Sequence, residues 1–160
     1  MQADNLDIDF VPVSCADVEI ILNFFKELFE RYEDPADVDE DMAVSWCERK
    51  IRKYLDEYFC IQYQGEKAGY IHVHPDGDRV ELDDLYLFPR LRGRGIGAAV
   101  LRACIREAGS RPVYLYVYSG NVRAVALYQR LGFRVIETVS PTRVIMQRDP
   151  LESAETRPIK

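Results

Sequence analysis

Apolar residues return along this chain at two spacings, and the switches between them mark its elements. Residues 6–13, LDIDFVPV, alternate apolar with polar, which predicts a strand. Val18, Ile21, Leu22, Phe25, Leu28, Phe29 and Tyr32 then recur at steps of three and four, predicting an amphipathic helix over about 16–31. YEDPADVDED at 32–41 carries Pro35 and six acidic residues and interrupts the pattern, so it reads as a loop. Val44, Cys47, Ile51 and Leu55 share one face of a second helix, with Asp41 placed to cap it.

The period then shortens. YFCIQYQ and KAGYIHVH read as strands joined by a turn near Gly65 and Glu66, and Asp76-Gly77 marks a hairpin into RVELDDLYLF. Beyond the glycine-rich RLRGRGIGAAVLR at 90–102, Val100, Ala103, Cys104 and Ala108 restore the helical spacing. PVYLYVY is a continuous β-rich run and reads as a buried strand. NVRAVALYQRLG is a helix that Asn121 opens and Gly132 closes, and FRVIETV and TRVIMQR are a final pair of strands. The predicted order is β, α, α, β, β, β, α, β, α, β, β. It describes one α/β domain over 1–149, a mixed sheet with helices on both faces. The tail, 150–160, has no periodicity and is expected to be mobile.

Composition narrows the picture in three ways. A chain of 160 residues with 48% hydrophobic and 30% charged side chains is an ordinary globular domain with room for one core. No apolar run approaches the ~20 residues of a membrane span, and the N-terminus lacks the basic segment of a signal peptide. Cys15, Cys47, Cys60 and Cys104 form no CxxC pair, so reduced thiols in the cytoplasm are expected and a zinc site is not. The net charge of −6 argues against nucleic acid as a partner.

The candidate chemistry begins with the glycines at 93, 95 and 97. A helix N-terminus presents unpaired N–H groups and the positive end of its dipole, so after a strand it is an anion site. Glycine lets a phosphate approach those groups closely, and Arg92 and Arg94 add charge. Gly93, Gly95 and Ala98 satisfy the dinucleotide pattern G-x-G-x-x-A. Against that reading, no acid stands near position 118 to hold a ribose, and too few strands follow to complete a doubly wound sheet. No Gly-Lys-Ser/Thr is present for a Walker loop.

DDLYLFPRLRGRGIGAAVL resembles the acyl-CoA-binding motif of the GNAT superfamily of N-acetyltransferases, whose Gln/Arg-x-x-Gly-x-Gly/Ala core is matched by Arg92, Gly95 and Gly97. NVRAVALYQRLGF resembles the family's second motif through Asn121, Ala124, Leu127, Tyr128, Gly132 and Phe133. The resemblance runs over roughly 6–148. It implies the GNAT-type acyl-CoA N-acyltransferase fold, in which two central parallel strands splay apart to admit acetyl-CoA. It also implies that the backbone of Gly93, Arg94, Gly95, Ile96, Gly97 and Ala98 holds the coenzyme A diphosphate. The backbone of Leu85, Tyr86 and Leu87 would pair with the pantetheine arm, which Asn121 and Ala124 also flank, and Tyr128 would protonate the departing thiolate. Without a ligand, Asn121 reads equally as a helix cap and Tyr128 as a partly buried tyrosine.

An acceptor amine with a pKa of about 10 must lose a proton before it attacks. VELDDLYL offers three carboxylates for this. Strand alternation places Glu81, Asp83, Leu85 and Leu87 on one face and Asp84 on the other, an order that a bulge would break. The family places a catalytic carboxylate at positions matching Asp83 or Glu81; Asp83, nearer the sulfur, is the first choice and Glu81 the second. Solvated acids that bind a substrate cation are the alternative. The acidic loop suggests a cationic acceptor such as a polyamine, an aminoglycoside, an amino acid or a protein amine. His72 and His74 form an H-x-H pair without an evident third ligand, so no metal is expected, although His74 is near enough to join a proton relay. A non-catalytic acyl-CoA-binding module is the competing function. The last strands and the tyrosines of VYLYVYSG offer a surface for a homodimer.

Overall fold

The computed structural model describes residue 1 and residues 5–150; the expected tail, apart from Pro150, lies outside them. The strands are β1 (Ile8–Pro12), β2 (Tyr58–Tyr63), β3 (Glu66–Asp76), β4 (Arg79–Leu87), β5 (Val113–Tyr118), β6 (Arg134–Thr138) and β7 (Arg143–Arg148). The helices are α1 (Val18–Tyr32), α2 (Glu40–Lys53), α3 (Ile96–Ala108) and α4 (Val122–Arg130). The element order is the predicted one. All seven strands form one sheet in the order β1-β2-β3-β4-β5-β7-β6, antiparallel throughout except for the parallel β4–β5 pair.

Alternation along the strands gives the sheet two buried faces. Ile61, Ile71, Val80, Leu82, Val113 and Leu115 meet Ile96, Ala99, Val100 and Cys104 of α3. On the opposite face Cys60, Tyr70 and Tyr86 meet Val18, Ile21 and Phe24 of α1 and Cys47 and Ile51 of α2. The helical stripes read from the sequence are therefore the packing faces. Their starts differ by a few residues. Ser14 and Asp17 make a reciprocal capping box around a short 3-10 turn, so α1 begins at Val18. Asp39, and not Asp41, caps α2, accepting the Met42 N–H at 2.9 Å; Asp41 lies inside the first turn.

Two features of β4 position the site. The first is that it pairs with β5 only at Val80↔Val113 and Glu81↔Tyr114. Beyond those residues β4 stays with β3 and β5 stays with β7, so the two parallel strands part and leave a fork in the sheet.

The second is a bulge. Tyr70 pairs with Tyr86 and His72 with Asp83, so Ile71 faces two residues, Asp84 and Leu85, and Asp84 takes a left-handed φ of 48°. This corrects the face assignment made from simple alternation. Leu85 and Leu87 pack on the α3 side, while Asp83 and Asp84 both reach Lys50 of α2 on the other. The extra residue shifts the parity of everything beyond it. Gly69 of β3 accommodates the distortion: a Cβ there would stand 1.8 Å from the Tyr86 carbonyl oxygen.

Candidate active site

The segment between β4 and α3 forms an open cradle. After Leu87 a 3-10 turn, Pro89–Leu91, buries Leu91, and residues 92–95 are exposed. Gly93 and Gly95 have φ of 75° and 81°, a region costly for residues with a Cβ. No atom lies within 4 Å of where that Cβ would be, so the space above both glycines is open. Ile96, buried, anchors the first turn of α3, and the N–H groups of Ile96, Gly97 and Ala98 open that helix. Left-handed glycines, an open approach and a helix N-terminus fit an anionic ligand such as a diphosphate. Arg92 Nε donates to the Leu87 carbonyl at 3.0 Å, tying the cradle to the end of β4.

Along the fork, Phe88 N–H donates to the Ala68 carbonyl at 2.9 Å. Antiparallel alternation then turns the polar backbone of Tyr86 toward β3 and that of Leu85 and Leu87 toward the fork. Of the three residues expected to pair with pantetheine, these two have the exposed orientation. The Tyr86 side chain is buried among α1 and α2, its ring stacked on Phe24 at 5.0 Å.

The three carboxylates of β4 occupy different environments. Asp84 is fully engaged: it accepts hydrogen bonds from Lys50 Nζ at 2.9 Å, the Tyr86 hydroxyl at 3.1 Å and the Tyr58 hydroxyl. Burial, followed by the Asp84 charge, lifts the pKa values of both tyrosines, so both remain donors. Asp83 accepts from Lys50 Nζ at 2.6 Å and from the Asp84 N–H at 2.9 Å. Burial alone would raise its pKa, but the Lys50 charge and hydrogen bond outweigh burial and hold it below the ordinary value. Glu81 moves the other way, because burial and then the Asp83 charge raise its pKa. It stands at the root of the fork, where the Tyr114 hydroxyl, donating to Asp76 Oδ2 at 2.6 Å, also lies 3.3 Å from Glu81 Oε2.

The other wall comes from α4. Asn121 caps the helix by accepting the Ala124 N–H at 3.4 Å. Ala124 and Tyr128 pack against the α3-side core. The Tyr128 ring lies 5.8 Å from that of Phe133. Burial, with a smaller contribution from Asp83, pushes Tyr128 up to about 12, so it is protonated at neutral pH. Cys104, buried in α3, is likewise pushed up to about 12 by burial, which suits a core thiol and not a nucleophile.

Sequence reasoning missed Lys50, Tyr58, Tyr114 and Glu57. Lys50 carried a weak signal: it lies three residues after Cys47, beside the apolar stripe of α2, where a charge needs a buried partner. Glu57, in the turn before β2, supplies the third group that the H-x-H pair lacked. It lies 3.0 Å from His72 Nε2 and 2.9 Å from His74 Nδ1.

Residues 20–133 match the sequence model of the acetyltransferase (GNAT) family. A spermine/spermidine N(1)-acetyltransferase of Bacillus subtilis (strain 168) is 30% identical over 86 residues, 46% of this chain and 57% of that protein. A mycothiol acetyltransferase of Corynebacterium glutamicum is 44% identical over 97 residues, 56% of this chain and 32% of that protein. The matches thus span about half the length of the first relative and about a third of the second. The PaiA N-acetyltransferase of Thermoplasma acidophilum, solved in complex with coenzyme A, superposes with a TM-score of 0.64 at 21% identity, covering 89% of this chain and 99% of that one. A GNAT-family acetyltransferase from Streptococcus agalactiae gives 0.73 at 11% identity, covering 95% and 99%. At these identities the structural likeness is one of fold. Among the described residues no helix is long and apolar enough to cross a membrane.

Proposed function

Because the chain belongs to the acetyltransferase (GNAT) family, we propose that it transfers the acetyl group of acetyl-CoA to a primary amine by direct attack in a ternary complex. The observation that carries this reading is the β4–β5 fork opening beside an unobstructed glycine cradle at the N-terminus of α3. A diphosphate on the N–H groups of residues 93–98, with Arg92 and Arg94 beside it, directs pantetheine along β4. Leu85 and Leu87 offer backbone partners to its amides, and Asn121 and Ala124 flank it from α4.

In the transfer, the amine nitrogen attacks the thioester carbonyl carbon, a C–N bond forms and the C–S bond breaks. The departing thiolate takes the Tyr128 proton, for which a hydroxyl with a pKa of about 12 is protonated and ready. Before attack the acceptor ammonium gives one proton to a carboxylate, and the second proton, shed by nitrogen as the amide forms, leaves to solvent, from which Tyr128 is reprotonated. Glu81 is better suited to that step than Asp83, the first choice from sequence. A base needs a pKa raised toward the working pH, and Lys50 instead stabilises the Asp83 anion. Asp83 and Asp84, held by Lys50, set the shape of the bulge.

The acceptor is a small amine. The spermine/spermidine relative supports a polyamine, in keeping with the acidic α1–α2 loop. The test is thiol release from acetyl-CoA against a panel of polyamines, aminoglycosides, amino acids and a lysine peptide. Turnover with an amine of the panel, with acetylated product found by mass, is the expected result. Coenzyme A binding without turnover on any amine would instead make the chain an acyl-CoA-binding module.

A further inference from the structure

The Glu57–His72–His74 cluster goes beyond acetyl transfer. We propose that Glu57, His72 and His74 form a binding site for a divalent transition-metal ion, zinc foremost, on the α2 side of the sheet one strand away from the fork.

The backbone assembles the donors. His72 and His74 project from the same face of β3, two residues apart. Tyr58 pairs with His72 across β2–β3, and Glu57 immediately precedes Tyr58, at the end of the 3-10 turn Leu55–Glu57. The register therefore delivers the carboxylate to the two imidazoles. Glu57 Oε1 lies 3.0 Å from His72 Nε2 and 2.9 Å from His74 Nδ1, and Glu57 Oε2 lies 3.1 Å from His74 Nδ1. One ligand atom from each residue falls within 4.8 Å of the other two. Around zinc, with bonds of about 2.0–2.2 Å, neighbouring tetrahedral ligands stand about 3.3–3.5 Å apart. Small side-chain movements would admit the ion.

The rings are held in place. His72 stacks on Tyr58 with centroids 4.3 Å apart, and Tyr54 meets His74 edge-on at 5.0 Å. Pre-ordered ligands lose little entropy on coordination. A second observation points the same way. His72 is 3% exposed, and its Nδ1 is buried without a hydrogen-bond partner. A pure hydrogen-bonding role, with Nε2–H donating to Glu57, leaves that Nδ1 lone pair unanswered. In the other tautomer Nδ1 carries the proton and the Nε2 lone pair faces the Glu57 carboxylate at 3.0 Å, an arrangement that a cation between them stabilises. A ring nitrogen of His72 also lies within 4.8 Å of an oxygen each of Asp83 and Asp84, so further negative charge stands beside the ring. The His74 and Glu57 side chains are 28% and 20% exposed, leaving a path for entry and a position for water. Two imidazoles and one carboxylate suit zinc or cobalt better than the hard, oxygen-seeking magnesium or calcium.

The test uses the untagged, chelator-treated full chain carrying Cys15→Ser, since Cys15 is an exposed thiol. Zn²⁺ alone is titrated by calorimetry, and Co²⁺ is followed by its visible absorption. His72 is part of the core, so the variants are His74→Ala and Glu57→Gln. The proposal expects one ion per chain, a Co²⁺ spectrum without thiolate charge transfer, a rise in melting temperature with Zn²⁺, and affinity at least 10-fold weaker in each variant. Failure to bind stoichiometrically, or equal affinity in the parent and both variants, overturns it. The readouts are independent of acetyl transfer, so loss of that function would leave this proposal standing, and the reverse.

Discussion

At the residue scale, the proposed chemistry rests on how three side chains hold protons. Tyr128 is kept neutral by burial, and Tyr128→Phe is expected to lower kcat by about 10²–10⁴-fold while leaving acetyl-CoA affinity nearly unchanged. Steady-state kinetics with a calorimetric Kd checks both halves, and an unaltered kcat would remove Tyr128 from the mechanism. Glu81 and Asp83 separate by pH. A base works deprotonated, so the rate rises with pH through its pKa. With Glu81 raised by burial and by Asp83, the acidic limb of kcat/KM is expected above the ordinary carboxylate range. Glu81→Gln should abolish that limb and most of the rate. Asp83→Asn should retain turnover but leave Lys50 with one ion-pair partner fewer, which lowers the melting temperature. A pH profile lost in Asp83→Asn and kept in Glu81→Gln would reverse the two roles.

At the element scale, local pattern was enough for what local forces decide. The helices followed their apolar stripes, the strands their alternation, and the glycine cradle and Asn121 cap were visible as motifs. The bulge in β4 was not. Its determinants are Lys50 and Tyr58, 34 and 26 residues away in sequence, which draw Asp84 to the same side as Asp83. Alternation cannot express a contact of that range. Glu57 was illegible for the same reason, since only the β2–β3 register brings it to the histidines. The β4 distortion also makes a prediction about its neighbour. Gly69→Ala places a methyl group on the Tyr86 carbonyl and is expected to destabilise the β3–β4 pair by several kcal/mol, read as a large fall in the denaturation midpoint or loss of folded protein. A midpoint equal to wild type would mean that the strands separate there at little cost.

At the scale of the whole molecule, seven strands between two helical layers tie distant segments together through a few buried charges. Asp17 is the clearest. It is 5% exposed and accepts hydrogen bonds from the Ser14 N–H, Lys67 at 2.8 Å and Tyr70 at 2.7 Å, fastening the start of α1 to β3. Burial would raise its pKa, but those bonds together lower it. A depressed carboxylate pKa adds stability that is complete above the unfolded-state value of about 4 and is lost as pH falls through the folded value. Asp17→Asn should therefore be less stable than wild type at pH 7, with the gap narrowing below pH 4. Melting curves from pH 7 to pH 3 check this, and a constant gap would contradict it.

Under the proposed function the fold is a holder for one ligand: β4 and β5 part, the space above the glycines is open, and α4 forms the far wall. The most direct measurement is thermal unfolding of wild type and Gly95→Glu with acetyl-CoA, coenzyme A or NAD. Ligand at 100 times its Kd adds about 2.7 kcal/mol, a shift of several degrees for a domain of this size. The expected result is a shift of wild type with both coenzyme A species and none with NAD. Gly95→Glu should fold, at a cost of about 1–2 kcal/mol for a side chain at φ 81°, yet show no ligand shift, because a carboxylate would occupy the diphosphate position. A shift of wild type with NAD alone, or an undiminished coenzyme A shift in Gly95→Glu, would contradict the placement of acetyl-CoA in the fork.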